Sequence, residues 1–347
     1  MKEVLVLGGA GFIGRNIVEF LVNRGGCNVT AADITEGSNW KAISNNPRTS
    51  AHFKTILADF TDIRAFNNLN QKFDEVYMLA AVVGVNRTLK FPQDVIRINT
   101  LLTMNTLDWI ARNPINRLLF SSSSENYAGT SDLFNAKIPT AEDVPLCIKD
   151  INHPRWTYAM TKMHGESAFI HSAKAYDYEI TIVRYQNIIG PEMGFGHAIP
   201  HIVERFVKGE TLPFNIYGHD QTRAFCYIDD AVKGTVAAME SKKAAGEIYH
   251  IGKQDEISME TLTKYIGGLM GYKGEYKAAM TYPGSVARRC PNIDKAKIDF
   301  GYSPIIDWRK AVALTADWYS DFFASGQSPK SGGFETPEGV LAKVKEL

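Results

Sequence analysis

A short apolar run, Val4-Leu5-Val6-Leu7, meets three glycines at fixed spacing, Gly8-x-x-Gly11-x-x-Gly14, and nothing else in the chain constrains its fold as much. A helical stretch, Ile17 to Val22, comes next and is closed by Gly25-Gly26. The order is strand, glycine turn, helix. Glycine here lets the backbone approach a pyrophosphate and lets the helix lie close to the strand. The first helical turn, with Phe12 and Ile13, then offers free N–H groups and a positive dipole end to an anion.

The same alternation then repeats along the chain. A second strand, Asn28 to Ala32, ends at Asp33, placed to accept the two hydroxyls of an adenosine ribose and to repel a 2′-phosphate. NAD is therefore the expected cofactor, ahead of NADP. A third strand, Phe53 to Leu57, leads to Asp59-Phe60. A fourth, Glu75 to Ala81, ends in the small residues a flat cofactor requires beside Leu79, Ala80 and Ala81. A helix through Ile98 to Ile110 carries Asn99, and a fifth strand, Arg117 to Ser121, runs into Ser123, Ser124 and Glu125. Strands alternating with helical patterns predict an α/β fold, a doubly wound parallel sheet of Rossmann type, with ligands at the carboxyl ends of the strands.

Reactive residues gather after that fifth strand. In Thr157-Tyr158-Ala159-Met160-Thr161-Lys162, Tyr158 and Lys162 are four apart in a segment rich in helix formers, so they share one face of a helix. An ammonium there is expected to pull the phenol below its usual value of about 10. A tyrosinate could then take a proton from an alcohol, with the Ser123 hydroxyl sharing the bond. Tyr249 and Lys253 have the same spacing, but they fall in an alternating, glycine-containing stretch that reads as a strand. A strand would hold them about 13 Å apart.

The chain of 347 residues is long enough for one large domain or two unequal ones. Lys plus Arg equals Asp plus Glu at 38 each, so no electrostatic case arises for nucleic acid or an anionic membrane. The longest apolar run, Val76 to Val85, is about half of a bilayer span. Cys27, Cys147, Cys226 and Cys290 lack metal or redox spacing and read as reduced thiols of a cytoplasmic protein. No metal is expected, since His197 and His201 have no third ligand nearby. Residues 1–190 are expected to form the cofactor domain, with a later part, about 223–252, returning to it. Residues 191–347 are expected to form a smaller mixed α/β substrate domain with a loose tail, Ser325 to Thr336.

These motifs together resemble the extended short-chain dehydrogenase/reductase superfamily, the NAD-dependent nucleotide-sugar epimerases, dehydratases and decarboxylases. The resemblance runs from about Lys2 to Trp308. It implies NAD binding by Gly8, Gly11, Gly14, Asp33, Asp59, Phe60, Leu79, Ala80, Ala81 and Asn99, with Ser123, Tyr158 and Lys162 as the catalytic set. Arg184-Tyr185-x-Asn187-x-x-Gly190-Pro191 and Gln221-Thr222-Arg223 look like the family's nucleotide-sugar contacts. Met78 stands where the family often has His, and Ala128 where it often has Gly. The chemistry implied is oxidation at sugar C4 by hydride transfer to NAD, and Glu125 after Ser124 tilts the sequel toward dehydration or decarboxylation. Simple C4 epimerisation or C4 dehydrogenation remains open. His153-Pro154-Arg155-Trp156 before Tyr158, and Arg289, are similar to the bacterial UDP-glucuronate decarboxylase branch. A homodimer through the helices after Arg97 and at Tyr158 is a further implication.

Overall fold

The computed structural model describes residues 1–209, 213–281 and 285–327, leaving aside the side chains of Asn86 and Asp132. Most of the expected loose tail lies outside the described residues. Seven parallel strands form the central sheet: β1 (Lys2–Leu7), β2 (Cys27–Asp33), β3 (Phe53–Leu57), β4 (Glu75–Met78), β5 (Arg117–Ser123), β6 (Glu179–Tyr185) and β7 (Glu247–Ile251). Their spatial order is β7-β6-β5-β4-β1-β2-β3. The order reverses between β1 and β4, and that crevice, at the carboxyl ends, is where a doubly wound sheet binds its ligand.

Side-chain alternation divides the core. Val4 and Val6 point to one face, into a cluster with Ile17, Val18 and Leu21 of α1 (Phe12–Arg24). Leu5 and Leu7 point to the other, with Val76, Met78, Trp109 and Phe169. Helices α2 (Pro92–Ile110) and α3 (Trp156–Tyr176) cover this second face and pack on each other. Met78 fits there as an apolar filler, its sulfur accepting from Thr106 Oγ1 at 3.7 Å.

Beyond β6 the chain builds smaller pieces around α4 (Ala198–Val207), α5 (Ile228–Glu240), α6 (Met259–Leu269) and α7 (Trp308–Ala324). Strand β7 joins β6 in parallel, with Tyr249 opposite Val183. Tyr249 bonds Asp299 and Lys253 bonds the Ile306 carbonyl, so the duplicate Y-x-x-x-K spacing forms no pair. The basic stretch from Gln221 differs from a plain turn. Thr222–Ala224 is a strand, flanked antiparallel by Glu256–Ser258 and parallel by Arg288–Arg289. That ladder brings Arg223 and Arg289 into register although 66 residues apart in the chain.

Candidate active site

Helix α3 crosses β5 closely because Gly165 faces Phe120: a Cβ there would come within 2.4 Å of the ring. One turn earlier on α3, Lys162 is 4 % exposed, and two turns earlier Tyr158 reaches the strand end. The Ser123 side chain, which accepts from the Glu125 N–H at 3.2 Å, lies near enough to act on the Tyr158 phenol. The sequence-based expectation about its acidity fails. Burial raises the phenol well above its usual value. The Ser123 side chain opposes this, and the Glu125 charge adds to it. Lys162 does not counter the burial, because its ammonium donates to the Ser121 carbonyl at 2.7 Å and lies 5.8 Å from the Tyr158 ring centroid. Burial also pushes Lys162 down to about 7, with Glu166 partly restoring it.

The crevice at β1 fits a dinucleotide. Gly8 has φ +85°, and a Cβ on it would sit 2.5 Å from the Ala80 backbone nitrogen. At Gly14 a Cβ would meet the Gly8 carbonyl oxygen at 2.0 Å. Both contacts are with backbone, so only glycine keeps the loop tight. Gly11 caps α1 without a side-chain bond, and Phe12 and Ile13 open a first turn free of acidic residues. Asp33 ends β2 and accepts from the Ala10 N–H at 3.0 Å, which ties it to the glycine loop. After β4 the Ala80 backbone lies against the Gly8 turn, Ala80 and Ala81 are half-buried, and Leu79 and Ala80 each pack against the core. Asp59 is exposed at the end of β3 and accepts from Thr61. Phe60 turns its ring into the core against Phe66, and its carbonyl accepts from the Asn105 amide at 3.0 Å in a buried bond. Asn99 lies one layer back: its amide brackets the Val82 peptide at 2.7 and 3.2 Å and donates to Thr161 on α3.

Facing Tyr158 is a charged cluster. Glu125 Oε1 accepts from Arg289 Nη1 at 2.7 Å, and Arg155 Nη2 lies 3.7 Å from Oε2. Burial alone would raise the Glu125 carboxyl. The charges of Arg289 and Arg155, the Arg289 hydrogen bond and the Arg223 charge outweigh it and hold the group at about 2. Arg289 also donates to Ser124 Oγ at 3.3 Å, and its Nη2 is buried with no hydrogen-bond partner among the described residues. Burial lowers Arg223 to about 9, with Arg289 and Arg155 adding repulsion. Arg223 is held by the Thr222 carbonyl at 2.7 Å. Asn187 adopts φ +43° and donates to the Ala224 carbonyl, bracing the same ladder. The sequence did not single out Arg155 as a site residue, although it lies three positions before Tyr158.

Behind the cluster lies a buried polar network. The Glu166 carboxylate accepts from Arg184 at 2.6 and 2.8 Å and from Asn126 at 2.9 Å. Ser122 also donates to it. No periodicity or local motif announces this network, because its members come from separate strands and helical segments.

A glycine-lined crevice beside a tyrosine, serine and lysine at the end of β5 defines the class: an enzyme of the extended short-chain dehydrogenase/reductase type. The chain belongs to the NAD dependent epimerase/dehydratase family, whose model matches residues 4–252, and NAD is its cofactor. It is 29% identical over 331 residues to a UDP-N-acetyl-alpha-D-glucosaminuronate decarboxylase of Bacillus cytotoxicus, covering 92% of this chain and 98% of that one. It is 28% identical to a UDP-glucuronate 4-epimerase of Thermodesulfobacterium geofontis, covering 92% and 96%. Among solved structures, a Bacillus cereus UDP-glucuronic acid 4-epimerase in complex with UDP-glucuronic acid and NAD superposes with TM-score 0.78. That pair shares 26% identity, with 92% and 99% covered. No helix among the described residues is long and apolar enough to cross a membrane.

Proposed function

We propose that this enzyme oxidises C4 of a nucleotide-linked uronate and then removes its carboxyl group, with Glu125 governing the proton at C5. The observation that carries the reading is the cluster at Glu125. Arg155, Arg223 and Arg289 all act on the Glu125 carboxylate, with Glu256 also near Arg223, and Arg289 Nη2 lacks a partner among the described residues. Guanidinium matches phosphate and carboxylate oxygens bidentately. A sugar diphosphate bearing a carboxylate answers the excess positive charge better than a neutral hexose does. The relatives named for uronates support the same substrate class.

Bound NAD supplies the hydride acceptor. Tyr158 takes the proton of the C4 hydroxyl beside Ser123, while Lys162 holds the end of β5 in place through Ser121. Asp33 accepts the ribose hydroxyls and Gly8, Gly11 and Gly14 admit the pyrophosphate. Arg223, Arg289, Ser124 and Asn187 engage the diphosphate and sugar. Oxidation leaves a carboxylate β to a ketone. The bond from C5 to the carboxylate breaks, its electron pair enters an enolate, carbon dioxide leaves, and a proton returns to C5. At rest the arginines keep Glu125 ionised. Substrate anions that draw those guanidiniums away raise its pKa, and only then does Glu125 carry a proton.

On this reading residues 1–190 and part of 223–252 serve the cofactor, and most of 191–347 serves the sugar. A homodimer would pair the outer sides of α2 and α3, where Arg97, Met104 and Asp108 are exposed; sedimentation as a monomer would remove that proposal. The cysteines are unpaired, as a reducing cytoplasm would leave them.

The reaction is tested by incubating the enzyme with a mixed pool of nucleotide sugars and weighing the products. Loss of carbon dioxide from a uronate is expected. Loss of water would make the enzyme a dehydratase, and an isomer of unchanged mass would make it a 4-epimerase.

A further inference from the structure

His250 is fully buried in β7, away from Tyr158, yet it touches both sides of the Glu125–Arg289 pair through one residue each. Its Nδ1 lies 2.8 Å from the Asn292 carbonyl, and Asn292 is three residues beyond Arg289. Its Nε2 lies 2.7 Å from the Tyr127 hydroxyl, and Tyr127 ends the 3-10 turn Ser124–Tyr127 that carries Glu125.

The proton positions follow from the partners. A carbonyl only accepts, so Nδ1 bears the hydrogen, and in the neutral ring that burial favours Nε2 is the acceptor. Tyr127 must then donate to Nε2. Arg184 Nη1, which can only donate, gives its hydrogen to the Tyr127 oxygen. One assignment satisfies every contact. The Tyr127 and His250 rings also meet edge to face, with centroids 5.2 Å apart, and the His250 backbone N–H donates to Glu142 Oε1 at 3.0 Å.

We propose that His250 is a positioning residue: it sets Glu125 against Arg289 by bridging the turn that carries one to the segment that carries the other. The arginine side has other support. Thr140 exchanges backbone hydrogen bonds with Cys290 and Asn292 at 2.9 and 2.7 Å, and Arg289 is in register with Arg223. The Glu125 turn is anchored at its middle by Asn126 on Ser122 and Glu166. Its far end is held through Tyr127 by Arg184 and His250. Loss of His250 therefore frees the turn more than the arginine, and the carboxylate shifts within the site while the cofactor crevice is untouched. The inference rests on the role given to Glu125 above.

The test uses full-length enzyme loaded with NAD. His250→Phe keeps an aromatic ring, somewhat larger than imidazole, and removes both side-chain hydrogen bonds. Tyr127→Phe removes one hydroxyl and serves where the first variant does not fold. Each is compared with wild type for the single-turnover rise of NADH absorbance and for product release at saturating substrate. Expected are an NADH rise within about threefold of wild type and a later step slowed about tenfold or more, the size of effect a misplaced group produces. The double variant should be no slower than the worse single one, since both break the same bridge. A proportional fall in both phases, no change in either, or losses that multiply in the double variant would each overturn the proposal. A Glu125→Gln control separates the two ideas. If Glu125→Gln stalls after oxidation and His250→Phe does not, the strut is wrong. If Glu125→Gln turns over normally, the reading of Glu125 itself falls.

Discussion

Tyr158 has to lose a proton in a place that discourages the charge it would acquire. Burial raises the phenol, and the Ser123 side chain offsets only part of that. Tyr158→Phe should leave NAD binding intact and slow C4 oxidation by about 10²–10⁴, the usual cost of a lost general base. Single-turnover NADH formation within a few-fold of wild type would contradict the role. Asp33 lends itself to a binding test. NAD titrated into cofactor-free protein should bind more tightly than NADP, because a 2′-phosphate would lie beside a carboxylate; equal affinities would show that Asp33 faces elsewhere. Tyr158, Ser123 and Asp33 were legible because motif position and strand ends place them. The destination of the Lys162 ammonium was not. Helical spacing puts Lys162 near Tyr158, but which oxygen it reaches depends on how closely α3 lies on β5. Arg155, Glu166 and His250 acquire meaning only from residues 18 to 123 positions away, which no local pattern reveals.

At the scale of elements, the approach of α3 to β5 rests on one missing side chain. Gly165→Ala would push a methyl to 2.4 Å from the Phe120 ring, within a packed layer of Phe120 and Phe169. Overpacking of this kind costs about 1–3 kcal/mol. The expected result is a lower melting temperature together with slower C4 oxidation, as Tyr158 and Lys162 move off the strand end. An active, fully stable Gly165→Ala protein would show that the contact does not set the site. Most strands of the central sheet were legible as apolar runs closed by glycine, acidic or small residues, and Glu247–Ile251 by its alternation. The ladder at Thr222–Ala224 was not, because its partners lie at Glu256–Ser258 and Arg288–Arg289. A three-residue strand has too little pattern of its own, and tertiary pairing decides its conformation.

Across the whole molecule the parallel sheet gathers Gly8, Asp33, Ala80 and Ser123 at one edge, as alternating strands and helices predict. It also buries two histidines in neutral form. Burial pushes His201 to about 3, with Arg205 and Lys208 adding to it. It pushes His250 to about 3 as well, where the Asn292 carbonyl opposes and Arg184 and Lys295 add. Their unfolded value is about 6.5. Between those values the unfolded chain binds more protons than the folded one, so stability rises with pH and is lost on acidification below about pH 6.5. Each histidine contributes a slope of up to about 1.4 kcal/mol per pH unit. Urea unfolding between about pH 6 and 5 should show that loss, and His201→Phe should remove about half of it, leaving the His250 share; a pH-independent stability there would contradict neutral burial. The central claim, that oxidation at C4 precedes a step governed by Glu125, is tested most directly by mixing Glu125→Gln with substrate in heavy water. NADH absorbance and deuterium at C5 are then tracked through one turnover. The account predicts that NADH appears at close to the wild-type rate, that the 4-keto sugar accumulates, and that little deuterium enters C5. Normal turnover with normal deuterium uptake at C5 would contradict it.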